Sequence, residues 1–233
     1  MDALLHIRYI SLLRRFTKLR VLSLTSNEFT LLDPSVITDL LSKLTALHRL
    51  DLNSFQLSSS LHTILNVLNG PLHVLQLSNC RLEVSDLSNL LRSPHIDTLH
   101  ELTIAKNDGL LTPDGFDVLL RLLDRLAATV RRLELRAVDM SSDQSARLFQ
   151  KCTELMKLTY LDVSGNLRIG LTRVDSSLHC WAATPSLRTV RLSKPVNHEQ
   201  PAADGRLSCR LNRQMDRLCA KFRRPVVNLV LAE

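Results

Sequence analysis

Three histidines, His48, His73 and His100, each follow a leucine and lie 25 and then 27 residues apart. Imidazoles recurring at that period would sit about 5 Å apart if their segments pack side by side as strands. That spacing raises a metal site or a pH-responsive cluster. The equivalent positions elsewhere hold Arg20, Arg131 and Arg188. The slot therefore reads as a strand rim that accepts polar side chains, and no metal is expected, because ligands need converging geometry as well as proximity. Catalytic spacings are missing too: there is no GxSxG elbow, P-loop, GxGxxG or HExxH, and six glycines leave little for a phosphate-cradling loop. Neither an enzyme nor a bound cofactor is expected.

A second pattern is electrostatic. Arg206, Arg210, Arg213, Arg217, Lys221 and Arg224 recur at steps of 4, 3, 4, 4 and 3, which on a helix confines them to one stripe about 80° wide. Leu207, Leu211, Met215, Leu218 and Phe222 fall on the neighbouring face and should pack inward. Residues 205–225 hold seven of the 30 Lys and Arg and one of the 23 Asp and Glu, so +6 of the formal +7 charge is local. Such a stripe suits an acidic protein, an anionic lipid or a nucleic-acid backbone. With 4% aromatics and no nucleic-acid motif, no base-specific nucleic-acid partner is expected.

Both patterns depend on a repeat that positions them. The template L-x-x-L-x-L-x-x-N/C ends at Asn27 and Cys80, and with conservative changes at Asn107 and Asn166. Three further copies keep the apolar anchors and end in Phe55, Val138 and Pro195. Units begin at 19, 47, 72, 99, 130, 158 and 187, the length of the long class of leucine-rich repeat. This device explains why 51 of 233 residues are leucine. Each unit reads as a short strand followed by a helix. Asp33-Pro34 and Thr112-Pro113 place a cap before a first-turn proline, Ser85-Asp86 opens a third helix, Ser141 or Ser142 a fourth, and Thr172 with Asp175 resembles a capping box.

One strand-helix unit cannot bury its apolar face alone, so units must stack. The expected fold is an α/β leucine-rich-repeat solenoid of ribonuclease-inhibitor-like long repeats, with a parallel sheet on the concave face and helices on the convex face. Residues 1–18 read as an amino-terminal helix, 19–194 as seven repeats, and 195–233 as a capping helix and strand. Asn27, Asn107 and Asn166 should bond backbone groups of the adjoining turn, and Cys80 should fill the same slot as a weak donor. Phe55 and Val138 cannot donate, which predicts irregular turns at both. Cys209 and Cys219 lie too far apart to bridge and read as packing residues. Five widely spaced cysteines without a CxxC pair, and no basic-apolar leader, suggest a reduced cytoplasmic or nuclear setting. No run of 18 apolar residues exists to span a membrane.

On the sheet face opposite the leucines, the central ladder reads Ser23, Asp51, Gln76, Thr103, Glu134, Asp162, Arg191, flanked by Arg49, Glu101, Lys106, Arg132, Arg136, Tyr160 and Lys194. Arg and Tyr are the anchors that protein interfaces favour, so this face is the candidate protein-binding surface.

The last 47 residues narrow the likeness. Leu187, Val190, Leu192, Pro195-Val196, Gly205, Leu207, Arg210, Leu218 and then Arg224-Pro225-x-Val227-x-Leu229 resemble the carboxy-terminal end of the PRAME-like leucine-rich-repeat family, most of all its leucine-rich repeat-containing protein 14 branch. The resemblance implies a non-enzymatic, intracellular interaction module. It also implies a substrate-recognition repeat domain of cullin-2 ubiquitin-ligase receptors, joined to elongins B and C through a portion preceding the repeats. Met1–Ile7 lacks the features of an elongin-binding box, and the chain is expected to be a fragment or short isoform, or to meet another chain at its first strand. A ligase-independent regulatory scaffold for a signalling (NF-kappaB-type) or transcription partner is the alternative.

Overall fold

In the computed structural model the described residues are 12–31, 34–169, 171–193 and 203–232. They form two compact units, Met1–Arg125 and Leu126–Glu233. The first holds β1 (Val21–Leu31), α1 (Pro34–Lys43), β2 (Arg49–Gln56), α2 (Leu61–Asn66), β3 (Val74–Gln76), α3 (Val84–Arg92), β4 (Glu101–Thr103) and α4 (Pro113–Leu126). The second holds β5 (Arg132–Glu134), α5 (Ser142–Cys152), β6 (Tyr160–Asp162), α6 (Leu171–Ala183), β7 (Thr189–Ser193), α7 (Ala203–Lys221) and β8 (Asn228–Ala232). The alternation of strand and helix in both is the α/β leucine-rich-repeat fold.

In the first unit Leu22, Leu50, Leu75 and Leu102 stand in register across four parallel strands, all buried. In the second the same layer is Leu133, Leu161, Val190 and Leu229. Side chains alternate across a strand, so the residues one step on face away from these layers. They are Ser23, Asp51, Gln76 and Thr103 in one unit and Glu134, Asp162, Arg191 and Val230 in the other. Helices fill the apolar side: Ile37, Leu40 and Leu41 of α1, Phe116 and Leu119 of α4, and Phe149 and Trp181 of α5 and α6 are buried. The last two meet edge to face at 4.9 Å.

The repeat turns are held by side-chain amides. Asn107 Oδ1 accepts from the backbone N–H of Cys80 (2.9 Å) and Leu82 (3.2 Å), and its Nδ2 donates to the carbonyls of Leu77, Ile104 and Ala105. Asn166 repeats the pattern on Val138, Met140, Leu135 and Val163. Cys80 donates its thiol to the Leu52 carbonyl at 2.8 Å, and burial pushes that thiol's pKa up to about 11. The side chain of Asn27 lies outside the described residues.

Before five of the slots the backbone is left-handed whatever the residue type: Ser54, Asn79, Lys106, Ala137 and Gly165 all have φ between 49° and 79°. At Gly165 an added Cβ would meet the Ala137 Cβ at 2.9 Å, so there the turn requires glycine. The Val138 turn is therefore regular, contrary to expectation, because the next repeat's Asn166 holds its N–H. At Phe55 the next repeat offers Cys80, only a weak acceptor. There β2 runs on to Gln56 and its pairing with β1 jumps from Thr25↔Asn53 to Thr30↔Phe55. A turn is regularised by the slot that follows it more than by its own.

Helix starts mostly follow the caps read from sequence. Thr112 Oγ1 accepts from Gly115 N–H at 3.2 Å ahead of α4, and Ser141 forms a reciprocal box with Gln144 ahead of α5. α3 begins earlier than Ser85-Asp86 suggests. Glu83 is its cap, and Asp86 accepts from the Glu83 N–H at 3.0 Å. The expected helix over residues 1–16 and the connection over 194–201 lie mainly outside the described residues, as do Asp33 and the Thr172 side chain.

At the far edge of the second unit Asn228 N–H bonds the Arg188 carbonyl, so the alternate residue, Leu229, directs its N–H and C=O outward. Asn212 of α7 takes both: Leu229 N–H donates to Oδ1 at 2.9 Å and Nδ2 donates to the Leu229 carbonyl at 3.2 Å. Leu211, Met215 and Cys219 seat that helix. Leu207, Leu218 and Phe222, expected inside, are only half-buried, and Cys209 is exposed and not a packing residue.

Candidate protein-binding face

The polar side of the first unit's strands is lightly charged. Arg49 Nε donates to Asp51 Oδ2 at 3.0 Å, and the buried Asp51 keeps its other oxygen without a hydrogen-bond partner. Gln76 and Glu101 are half-buried, Thr103 is buried, and Lys106 is exposed on its left-handed turn instead of on the strand. At the rim the His48, His73 and His100 rings lie in a row with centroids 5.1 and 5.0 Å apart, the first pair edge to face and the second stacked, as the repeat period requires. Among the described residues no group of three or more His, Cys, Asp or Glu converges as a metal site.

The second unit concentrates charge. Arg132 donates from Nε to Glu134 Oε1 at 2.7 Å and lies 3.8 Å over the Tyr160 ring. Two residues on, Arg136 Nε sits 3.3 Å from Glu134 Oε2 and 3.8 Å from Asp162 Oδ2, too poorly aligned for a hydrogen bond. Arg191 Nη1 is 3.7 Å from the same Asp162 oxygen. Tyr160 Oη donates to Asp162 Oδ2 at 3.3 Å, and Ser164 gives Asp162 Oδ1 both its N–H and its hydroxyl. Tyr160, with Asp162 and Glu134 adding their charge, moves the Arg191 guanidinium still further above its ordinary pKa. Glu134 and Asp162 are 7% and 1% exposed, whereas the three arginine side chains are 38–41% exposed. Acids lie beneath and guanidiniums above.

Of the fourteen face residues read from the sequence Lys194 lies outside the described residues, and the others occur in these strands or, for Lys106 and Arg136, in the turns beyond; Arg132, Glu134, Arg136, Tyr160, Asp162 and Arg191 form one connected cluster. The i, i+2 pairs Arg49/Asp51 and Arg132/Glu134 were visible as alternation on a strand. The role of Ser164, and the buried state of the two acids, had no signal in any single repeat. On α7, Arg213, Arg217 and Lys221 are exposed, as is Arg224 beyond its end. Arg210 pairs with Asp175 of α6 at 3.2 Å, and Arg224 donates to the Pro185 carbonyl at 3.4 Å. Of Arg206 only the backbone is described. No helix among the described residues is long and apolar enough to cross a membrane.

The chain is similar to known proteins. Leucine-rich repeat-containing protein 14 from Homo sapiens is 32% identical over 157 residues, covering 67% of this chain and 31% of that protein, with the same figures for Bos taurus. The chain thus spans about a third of the length of these curated relatives. A chain in the crystal structure of the Rad7 and Elc1 complex in yeast is 16% identical, covering 95% of this chain and 71% of its own, with a TM-score of 0.35. At that score the two do not superpose closely enough for one to inform the other. The model of the PRAME C-terminal domain matches residues 5–231, and with repeats, slot amides and terminal strand all in place the chain belongs to the PRAME C-terminal domain family.

Proposed function

We propose that the chain is a non-enzymatic protein-interaction module whose docking surface is the polar face of its parallel strands. The supporting observation is the cluster over β5–β7, where half-exposed arginines and a tyrosine are held in place by buried acids. Side chains ordered before binding lose less entropy when a partner arrives. A photo-crosslinking residue at Gln76 or Thr189 should capture a partner in cells, while one at Gln150 on the exposed side of α5 should not. Capture only from Gln150 would remove the face from consideration.

Family membership supports a finer reading, in which the module is the substrate-recognition domain of a cullin-2 ubiquitin-ligase receptor in the cytoplasm or nucleus. It predicts that elongins and cullin-2 co-purify once the chain is preceded by the amino-terminal portion its relatives carry, and that the captured partner turns over faster. The exposed Arg213, Arg217 and Lys221 favour a second reading, a ligase-independent scaffold that engages an acidic signalling or transcription partner through α7. Binding would then fall steeply with salt, vanish when Arg210, Arg213 and Arg217 become Ala, and leave partner turnover unchanged.

A further inference from the structure

We propose that the β5–β7 face takes an acidic segment of its protein partner, with partner carboxylates seated on Arg136 and Arg191. The proposal rests on the sheet face being the docking surface and adds the chemistry of what docks there. Both chain carboxylates in the cluster are already spoken for. Glu134 Oε1 is bonded by Arg132, Asp162 Oδ1 by Ser164 twice, and Asp162 Oδ2 by Tyr160. Glu134 Oε2 faces the Arg136 guanidinium at 3.3 Å, and both acids are buried, so an incoming cation has little access to either.

The guanidiniums are in the opposite condition. Each carries five N–H donors, and the contacts of Arg136 and Arg191 to the acids are ion pairs at 3.3–3.8 Å without a hydrogen bond from either buried Nε. Both approach one oxygen of Asp162, Arg136 from the turn after β5 and Arg191 from β7, so the two guanidiniums converge on it from either side of β6. Three guanidiniums over two carboxylates leave one formal positive charge in the cluster. Arg132 is spent on Glu134 and on the Tyr160 ring and forms a wall beside the pair. In the first unit Arg49 is hydrogen-bonded to Asp51 itself, and among the described residues no second arginine pairs with that carboxylate, so the arrangement does not recur among them.

The same geometry disfavours a nucleic acid. One face of the Tyr160 ring is taken by Arg132 at 3.8 Å and is closed to a stacking base. The acids a few ångströms below the guanidiniums oppose a polyanion more strongly than a single carboxylate, which can take a charge-assisted fork and stay clear of them.

The test is fluorescence anisotropy of a short labelled Glu-Gly repeat peptide titrated with the whole chain. Saturable binding that weakens with salt is expected. Arg136→Gln and Arg191→Gln should each weaken it about tenfold or more, while the α7 pair Arg213→Gln/Arg217→Gln should stay within about twofold. Arg136→Lys keeps a charge beside Glu134 but removes the planar fork. It should fold like the parent and bind with intermediate affinity, so the proposal stays open to refutation if the glutamine variant fails to fold. Absent peptide binding, equal loss in the α7 pair, or stronger Arg136-dependent capture of a single-stranded RNA oligonucleotide would each overturn it. If the peptide fails while Thr189 still crosslinks a partner, the acidic specificity falls and the docking face stands. If no face position crosslinks and the peptide fails, both fall together.

Discussion

The Met1–Arg125 and Leu126–Glu233 units share a backbone plan and differ in what they place on it. Leu50, Leu75 and Leu102 have their counterparts in Leu133, Leu161 and Val190, and Asn107 has its counterpart in Asn166 with the same kinds of bond. On the polar side the first unit spreads Asp51, Gln76 and Thr103 along its strands, with a row of three histidines at the rim. The second packs five charged side chains and a tyrosine into one cluster. Stability resides in positions the repeat dictates, and the docking proposed above uses positions it leaves free. Substitution at the dictated positions should therefore cost the same in either unit, and substitution at the free ones should not.

The sharpest check is Asn107→Ala beside Asn166→Ala. Each strands two buried backbone N–H groups and the carbonyls the amide served, and each should cost about 3–5 kcal/mol, taking about 1–3 kcal/mol per orphaned group with partial relief by water. Urea unfolding gives both values, and a several-fold disparity would break the claim of equivalence. Next come the two left-handed glycines. Gly165→Ala meets Ala137 and should cost about 2 kcal/mol, while Gly109→Ala, with nothing within 4 Å of the new Cβ, should cost about 1 kcal/mol.

A smaller effect tests the cluster itself. A double-mutant cycle on Arg132→Ala and Tyr160→Leu should report a coupling of about 0.5–1 kcal/mol from the cation–π contact, measured by thermal or urea unfolding. The same cycle on Arg49 and Val74, its register partner in β3, should report none. The smallest effect lies at Asp86 in the first unit. Burial raises its carboxyl above the usual range, against the backbone bonds from Glu83 and Ser59. The folded chain therefore holds that proton more tightly than the unfolded one. Its contribution is full below the unfolded pKa and is lost as pH rises through the raised folded value. Asp86→Asn should flatten that part of the stability-pH profile, and an unchanged slope would count against it.

Much of this was legible from residue types at a fixed period. The anchors Leu22 to Leu192, the ladder order, the histidine row and the Ser141 cap all follow from spacing within or between repeats. Other features arise from relations that no single repeat contains. The Val138 turn looked weak because its own slot lacks a donor, yet Asn166, 28 residues on, supplies the acceptor. Glu83 caps α3 because Asp86 returns the bond, a role that Ser85-Asp86 read alone had assigned two residues late. The basic stripe on α7 was plain from its 3- and 4-residue steps. Asn212, on the same helix, was passed over because its partner strand comes 17 residues later. The cluster on β5–β7 needed three strands in register before its buried acids could be told from ordinary surface charge.

Growth of a crystal continues because every new layer exposes the same surface as the last, and it stops where a molecule binds that face without reproducing it. Stacked parallel strands pose the same problem inside one chain, since each leaves a row of amides and carbonyls on which another could be laid down. The single side-chain amide of Asn212 occupies the N–H and C=O of Leu229 and presents no strand in their place. It blocks the edge at that position, carried on a helix fixed by three buried side chains. Units upstream could be gained or lost over evolutionary time without reopening the end, provided Asn212 and Leu229 travel together.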